Sequence, residues 1–184
     1  MDDISREKEK GFDFEYLGDV PKAKEEVGDA YQAPGFGLAS KLFSSVAKFF
    51  IEKLGQKEGE AILKAAMEYF GRERGKRIAE RVKKLGKPLT FKNWLIYSDI
   101  DASRNFEAMP EITGGDLVVN VKNCTFHNGA DEWGLGEYAN IYCKYVDYAI
   151  LGGYNPDIKL ILKERGAKGE GPRVFRYIMK EKNK

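Results

Sequence analysis

NVKNCTFHNGADEWGLGEYANIYCKYVDYAILGGYNP, residues 120–156, decides the fold because the hydrophobic period changes inside it. Where it begins, Leu117, Val119 and Val121 alternate with Val118, Asn120 and Lys122, as in a strand with one buried face. His127-Asn128-Gly129 reads as a turn. Beyond it Tyr138, Tyr142, Tyr145 and Ala149 recur at steps of three and four, flanked by Ile141 and Tyr148. That spacing predicts a helix starting between Ala130 and Gly136 and ending near Leu151, before Gly152-Gly153. The same stretch holds both cysteines, the only histidine and Trp133.

Working outward, Asn105–Ile112 and Asp116–Cys124 flank Gly114-Gly115, a dipeptide suited to a hairpin turn. Further upstream a helix is expected from about Phe36 to Leu54, ended by Gly55. Its stripe of Leu42, Val46, Phe49, Phe50 and Leu54 reads as a core face. A longer helix, about Lys57 to Leu85, has Ile62, Ala66, Tyr69 and Phe70 on one apolar face and Ile78, Val82 and Leu85 on another. Gly71 and Gly75 lie four apart on it and let another backbone approach. Each costs roughly 1 kcal/mol against alanine in a helix interior, so close packing or a kink must compensate. The bases between and after them, Arg72, Arg74, Lys76 and Arg77, read as a solvated face laced with Glu–Arg pairs. Thr90 caps a short helix beginning FKNWL.

Downstream, Ile158–Leu162 and Arg173–Met179 are two extended runs joined by a turn containing Gly166, Gly169 and Gly171. The order of elements predicts an α+β domain. N-terminal helices pack on a mainly antiparallel four-stranded sheet, with a helix inserted between two hairpins. Residues 1–35 read as a charged tail and arm, in which Phe12, Phe14 and Tyr16 alternate like a short strand; residues 36–184 read as one domain.

The 42% hydrophobic and 12% aromatic shares fit a folded globular chain. A net charge of +2 lacks the basic footprint of a nucleic-acid binder. No run of ~20 apolar residues is present to span a bilayer. MDDISREKEK lacks the apolar core of a signal peptide, and two cysteines without such a signal point to a reducing cytoplasm.

Three readings of the reactive cluster follow. In the first, Cys124, His127 and Cys143, with Asp147, bind a divalent metal such as zinc, whose bound water attacks a C=N bond. In the second, Cys143 is a nucleophile with Asp147 or His127 as its partner; a carboxylate alone would raise the thiol, so His127 or Lys144 has to help. In the third, the cysteines are small buried apolar residues and the tyrosines are core.

The glycine pair in YFGRERGKRIAERV, the cysteine in VKNCTFH, and Glu137, Cys143 and Asp147 in EYANIYCKYVDYAILGGYNP carry a family resemblance. With the closing hairpin GEGPRVFRY, they make residues 57–180 resemble the L-2-amino-thiazoline-4-carboxylic acid hydrolases. The resemblance implies hydrolytic opening of a cyclic thiazoline. It also implies an α+β ligand-binding scaffold distantly similar to 4-vinyl reductase-type domains, TRAPP-type tethering subunits and haem–nitric-oxide-binding domains. One departure is Val174, where the family's final hairpin carries a third cysteine.

Residues and resemblance together nominate Cys143, Asp147 and Cys124 as catalytic. Glu137, Asn140, Tyr142 and Asn155 are the expected substrate-binding residues. The expected partner is a small molecule, with neither nucleic acid nor a membrane span. The alternatives are a non-catalytic sensor or carrier on the same scaffold, and a homodimer through the Gly71–Gly75 helix face.

Overall fold

A computed structural model of the chain describes residues 22, 35–100, 102–163 and 173–178. The arm strand expected at residues 12–16, nearly all of the loop before residue 35, and the glycine-rich turn at 164–172 lie outside them. Helix α1 spans Gly35–Leu54 and α2 spans Gln56–Lys84, hinged at Gly55 with φ 81°. Short helices α3 (Phe91–Tyr97) and α4 (Ala102–Asn105) lead into strands β1 (Phe106–Thr113) and β2 (Asp116–Cys124). Helices α5 (Thr125–Asp131) and α6 (Gly136–Tyr154) follow, then β3 (Lys159–Lys163) and β4 (Arg173–Ile178). The fold is the expected α+β arrangement.

Gly114 and Gly115 both take positive φ, 61° and 89°, as a tight hairpin between β1 and β2 requires. The two hairpins join through β2 and β4, giving one antiparallel sheet in the order β1-β2-β4-β3. Opposite Leu117, Val119 and Val121 stand Tyr177, Phe175 and Arg173. Paired residues share a face, so these six side chains line one side of the sheet. Val118, Asn120, Val174 and Arg176 line the other.

Helices α2 and α6 press together backbone to backbone. A Cβ on Gly71 would sit 2.6 Å from the Ala149 Cβ and 2.8 Å from the Val146 carbonyl. One on Gly75 would meet the Ile150 carbonyl oxygen and lie 2.7 Å from the Tyr154 nitrogen. The glycine face read as a dimer surface is therefore occupied by α6 of the same chain. The same contact carries α6 past its expected end at Leu151, because Gly153 packs against the backbone of Arg72. The Tyr154 hydroxyl then fixes the last turn by donating to the Thr90 carbonyl at 2.8 Å.

Two readings of the helices are corrected. His127-Asn128-Gly129 is not a turn but the middle of α5, which buries Phe126, His127, Gly129 and Ala130. And α1 buries Gly37, Ser40, Lys41, Ser44 and Ala47 rather than its large apolar stripe. Small residues bring its backbone close to α5, where Gly37 lies against Gly129. Leu42 and Phe49 consequently face outward, 68% and 58% exposed. The main core lies between the sheet and α2, α5 and α6, built on Ile78, Val82, Val121, Phe126, Val146 and Ile150. No helix among the described residues is long and apolar enough to cross a membrane.

Candidate functional site

A cavity of about 230 Å³ lies between the sheet face just described and the helices. Val119, Val121, Phe175 and Tyr177 form its floor. Cys143, Asp147 and Ile150, at steps of four and three along α6, form one wall, since that spacing keeps them on a single helix face. Cys124 enters at the end of β2, and Trp94 and Asp99 close the far side from α3 and the loop after it. Most of this lining is apolar. The charges it exposes come from Arg74, Asp99, Asp147 and Arg173.

Cys143 lines the cavity and meets a histidine. Its Sγ is 3.4 Å from Nε2 of His127, and the two residues are 5% and 4% exposed. His127 comes from α5 and does not itself line the cavity, so it stands behind the thiol. Burial pushes the Cys143 thiol up to about 12. The charge of buried Arg173 works against that rise, while Asp147 and Cys124 add to it. Cys124 is also raised by burial, opposed by the His127 and Phe126 amides and by Arg173. Both cysteines are free thiols.

Beside them the Arg74 guanidinium makes a two-point contact with Asp99, Nη2 to Oδ1 at 2.6 Å and Nε to Oδ2 at 3.0 Å. Nη1 donates to the Tyr142 hydroxyl at 3.2 Å, and the Phe70 ring lies 5.4 Å away. Burial works against the Arg74 charge, yet Asp99, Tyr142 and Asp147 hold its pKa above the usual value. Tyr142 stacks on Phe126 at 4.4 Å between ring centres, and burial raises its hydroxyl well above the ordinary phenol value.

Of the residues nominated from sequence, Cys124, Tyr142, Cys143 and Asp147 all line this cavity. Glu137 and Asn140 do not; both are exposed on α6. Asn140 sits about 4.5 Å nearer the helix N-terminus than Cys143, and its side chain is exposed there. Asn155 braces the loop after α6, donating to the Leu89 carbonyl at 2.8 Å and accepting from the Asp157 amide at 2.9 Å.

Cys143 and His127 meet, but among the described residues no three His, Cys, Asp or Glu side chains form a group able to hold a metal ion. The residues thus do not fit the zinc site expected from Cys124, His127 and Cys143. Val174 alternates with Arg173 and Phe175 and lies on the opposite sheet face, so a cysteine at that position would not reach the cavity.

Arg74, Arg173, Trp94 and Asp99 also line the cavity, without having been nominated from sequence. Arg74 belongs to a run that reads as a solvated face. Its neighbours Arg72 and Lys76 do pair in solvent, with Glu68 and Glu73, while Arg74 turns inward. A signal for Arg173 was present in its alternation with Phe175 and Tyr177, which puts a charge in phase with buried rings.

A comparison with curated protein sequences returns no match. Among solved structures, the chain is similar to trafficking protein particle complex subunit 3 from Naegleria fowleri, described as covalently bound to palmitic acid. The identity is 16% and the TM-score 0.47, over 79% of this chain and 95% of that one. The family model for L-2-amino-thiazoline-4-carboxylic acid hydrolase matches residues 36–177, from the second residue of α1 to the last but one of β4. The chain belongs to the L-2-amino-thiazoline-4-carboxylic acid hydrolase family.

Proposed function

We propose that the domain of residues 36–184 hydrolyses a small cyclic thiazoline or amidine-type molecule in this cavity, with Cys143 as nucleophile and His127 as its base. The observation that carries the reading is the 3.4 Å contact between the Cys143 sulfur, which lines the cavity, and the His127 nitrogen behind it. A thiol raised to about 12 is scarcely ionised at neutral pH. Its proton must therefore pass to a base as it attacks. Nε2 is placed to take that proton, and Arg173 favours the ionised sulfur.

Attack on the C=N carbon forms a C–S bond and moves the π electrons onto nitrogen, to which His127 passes the thiol proton. The C–N bond then breaks with its electrons on nitrogen while a lone pair of the ring sulfur or of an amino substituent stabilises the carbon. The departing nitrogen takes a second proton, drawn through His127 from the water whose oxygen bonds that carbon. The new hydroxyl collapses to a carbonyl, its proton passes to the cysteine sulfur, and the C–S bond breaks to restore the thiol. Cys124 and Asp147 line the same cavity, where the Asp147 carboxylate would hold a protonated ring nitrogen. The test is a solution of 2-amino-2-thiazoline-4-carboxylate followed by NMR. Loss of the ring signals at a rate set by enzyme concentration supports the proposal; unchanged substrate refutes it.

A second reading, a small-molecule sensor or carrier, rests on the lining. It is largely apolar, as expected of a pocket that holds rather than transforms its ligand. Ligand retained through purification, with no turnover, supports that reading.

A further inference from the structure

A second cavity, about 370 Å³, opens between α1 and α2 beside the first. The two share Phe36, Arg74, Asp99, Ile100, Phe126 and Tyr142 in their walls, so they adjoin across the Arg74–Asp99 pair and the Tyr142 ring. Beyond that collar the outer cavity adds Ala39, Phe43, Met67 and Phe70, all without charge. The inner chamber alone falls below the ~300–1,000 Å³ of ordinary small-molecule sites, whereas the two together come within that range.

Chemistry is also divided between them. The thiols, Asp147 and Arg173 line only the inner chamber. A ligand filling both would place a polar, reactive group inward and an apolar substituent outward.

We infer that the outer cavity is the substituent site of the inner one, and that the ligand is a thiazoline-type ring bearing an alkyl or aryl chain. This rests on the proposed reaction for the identity of the ring and on the adjoining cavities for the chain. The Arg74–Asp99 pair forms the collar through which the chain passes. Its charges satisfy one another, so the collar carries no unpaired charge against a neutral chain.

Calorimetric titration of Cys143→Ala with 2-alkyl-2-thiazoline-4-carboxylates, from methyl to octyl, tests the inference, because this variant lacks the nucleophile. Affinity is expected to rise about fourfold per added methylene until the outer cavity is filled. Ala39→Trp, introduced into the same protein on the exposed side of α1, is expected to abolish that rise. Affinity independent of chain length, while wild type turns over the methyl compound, overturns the inference and leaves the hydrolase reading standing. A rise with chain length but no turnover by wild type supports the substituent site and removes the hydrolase reading. A rise that persists in Ala39→Trp sends the chain elsewhere and overturns the inference, as does absence of binding at every length.

Discussion

The Cys143 sulfur and the His127 Nε2 lie 3.4 Å apart across the α5–α6 contact, one facing the cavity and the other behind it. In the proposed reaction this arrangement would separate binding from proton transfer. Replacing His127 with Asn is expected to lower kcat on 2-amino-2-thiazoline-4-carboxylate by ~10²–10⁴-fold, the usual contribution of a positioned base. Because His127 does not line the cavity, KM should change little. Steady-state kinetics read both constants, and a loss confined to KM contradicts the assignment.

Burial of Cys143 also makes an alkaline prediction. The thiol ionises near 8.5 in an unfolded chain and is held up to about 12 in the folded one. A raised folded pKa gives stability that is complete below the unfolded value and is lost as pH rises toward the folded one. Between pH 7.5 and 9.5 wild type should lose about 1.4 kcal/mol more than Cys143→Ala. Urea unfolding of both proteins under reducing conditions measures the difference.

Much of this architecture was legible in sequence because it rests on local periodicity. The alternation through Val121 and the tyrosine stripe gave β2 and α6, and Gly114-Gly115 gave the hairpin. The pairing of β2 with β4 was not legible, since the strands lie about fifty residues apart and nothing local sets their register. Nor was the orientation of α1. Its large apolar residues suggest a core face, while Ser40, Ser44 and Ala47 are what it buries. In the site, Cys143 and Asp147 were accessible through helical spacing. Arg74 required knowledge that Asp99, twenty-five residues away, folds back to meet it.

The α2–α6 contact predicts a graded glycine series. Gly75→Ala drives a methyl into the Ile150 carbonyl and should destabilise by about 3 kcal/mol. Gly71→Ala meets the Ala149 side chain first and should cost somewhat less. Gly152→Ala, on the same helix as Ile150 but with nothing within 4 Å, should be neutral or stabilising by about 0.5–1 kcal/mol. Chemical denaturation of the three variants ranks them, and equal effects contradict the packing described.

A separate tie between α2 and α6 governs acid stability. Glu60 accepts from Lys144 and the Tyr145 hydroxyl, each at 2.7 Å, and from Gln56 at 3.0 Å. The Lys144 hydrogen bond, then that of Tyr145, lowers its carboxyl to about 2. A lowered folded pKa gives stability that is complete above the unfolded value near 4.3 and is lost as pH falls toward 2. For a group this close to solvent, the loss should be about 1 kcal/mol. Thermal unfolding between pH 6 and 2.5 should show a smaller drop in Glu60→Gln than in wild type.

In the proposed reaction the Cys143 thiol opens the ring. Turnover of 2-amino-2-thiazoline-4-carboxylate by Cys143→Ala is measured beside wild type, with folding verified by circular dichroism. A fall in kcat of on the order of 10³-fold or more is expected, the scale of losing a nucleophile. Wild-type turnover by folded Cys143→Ala contradicts it.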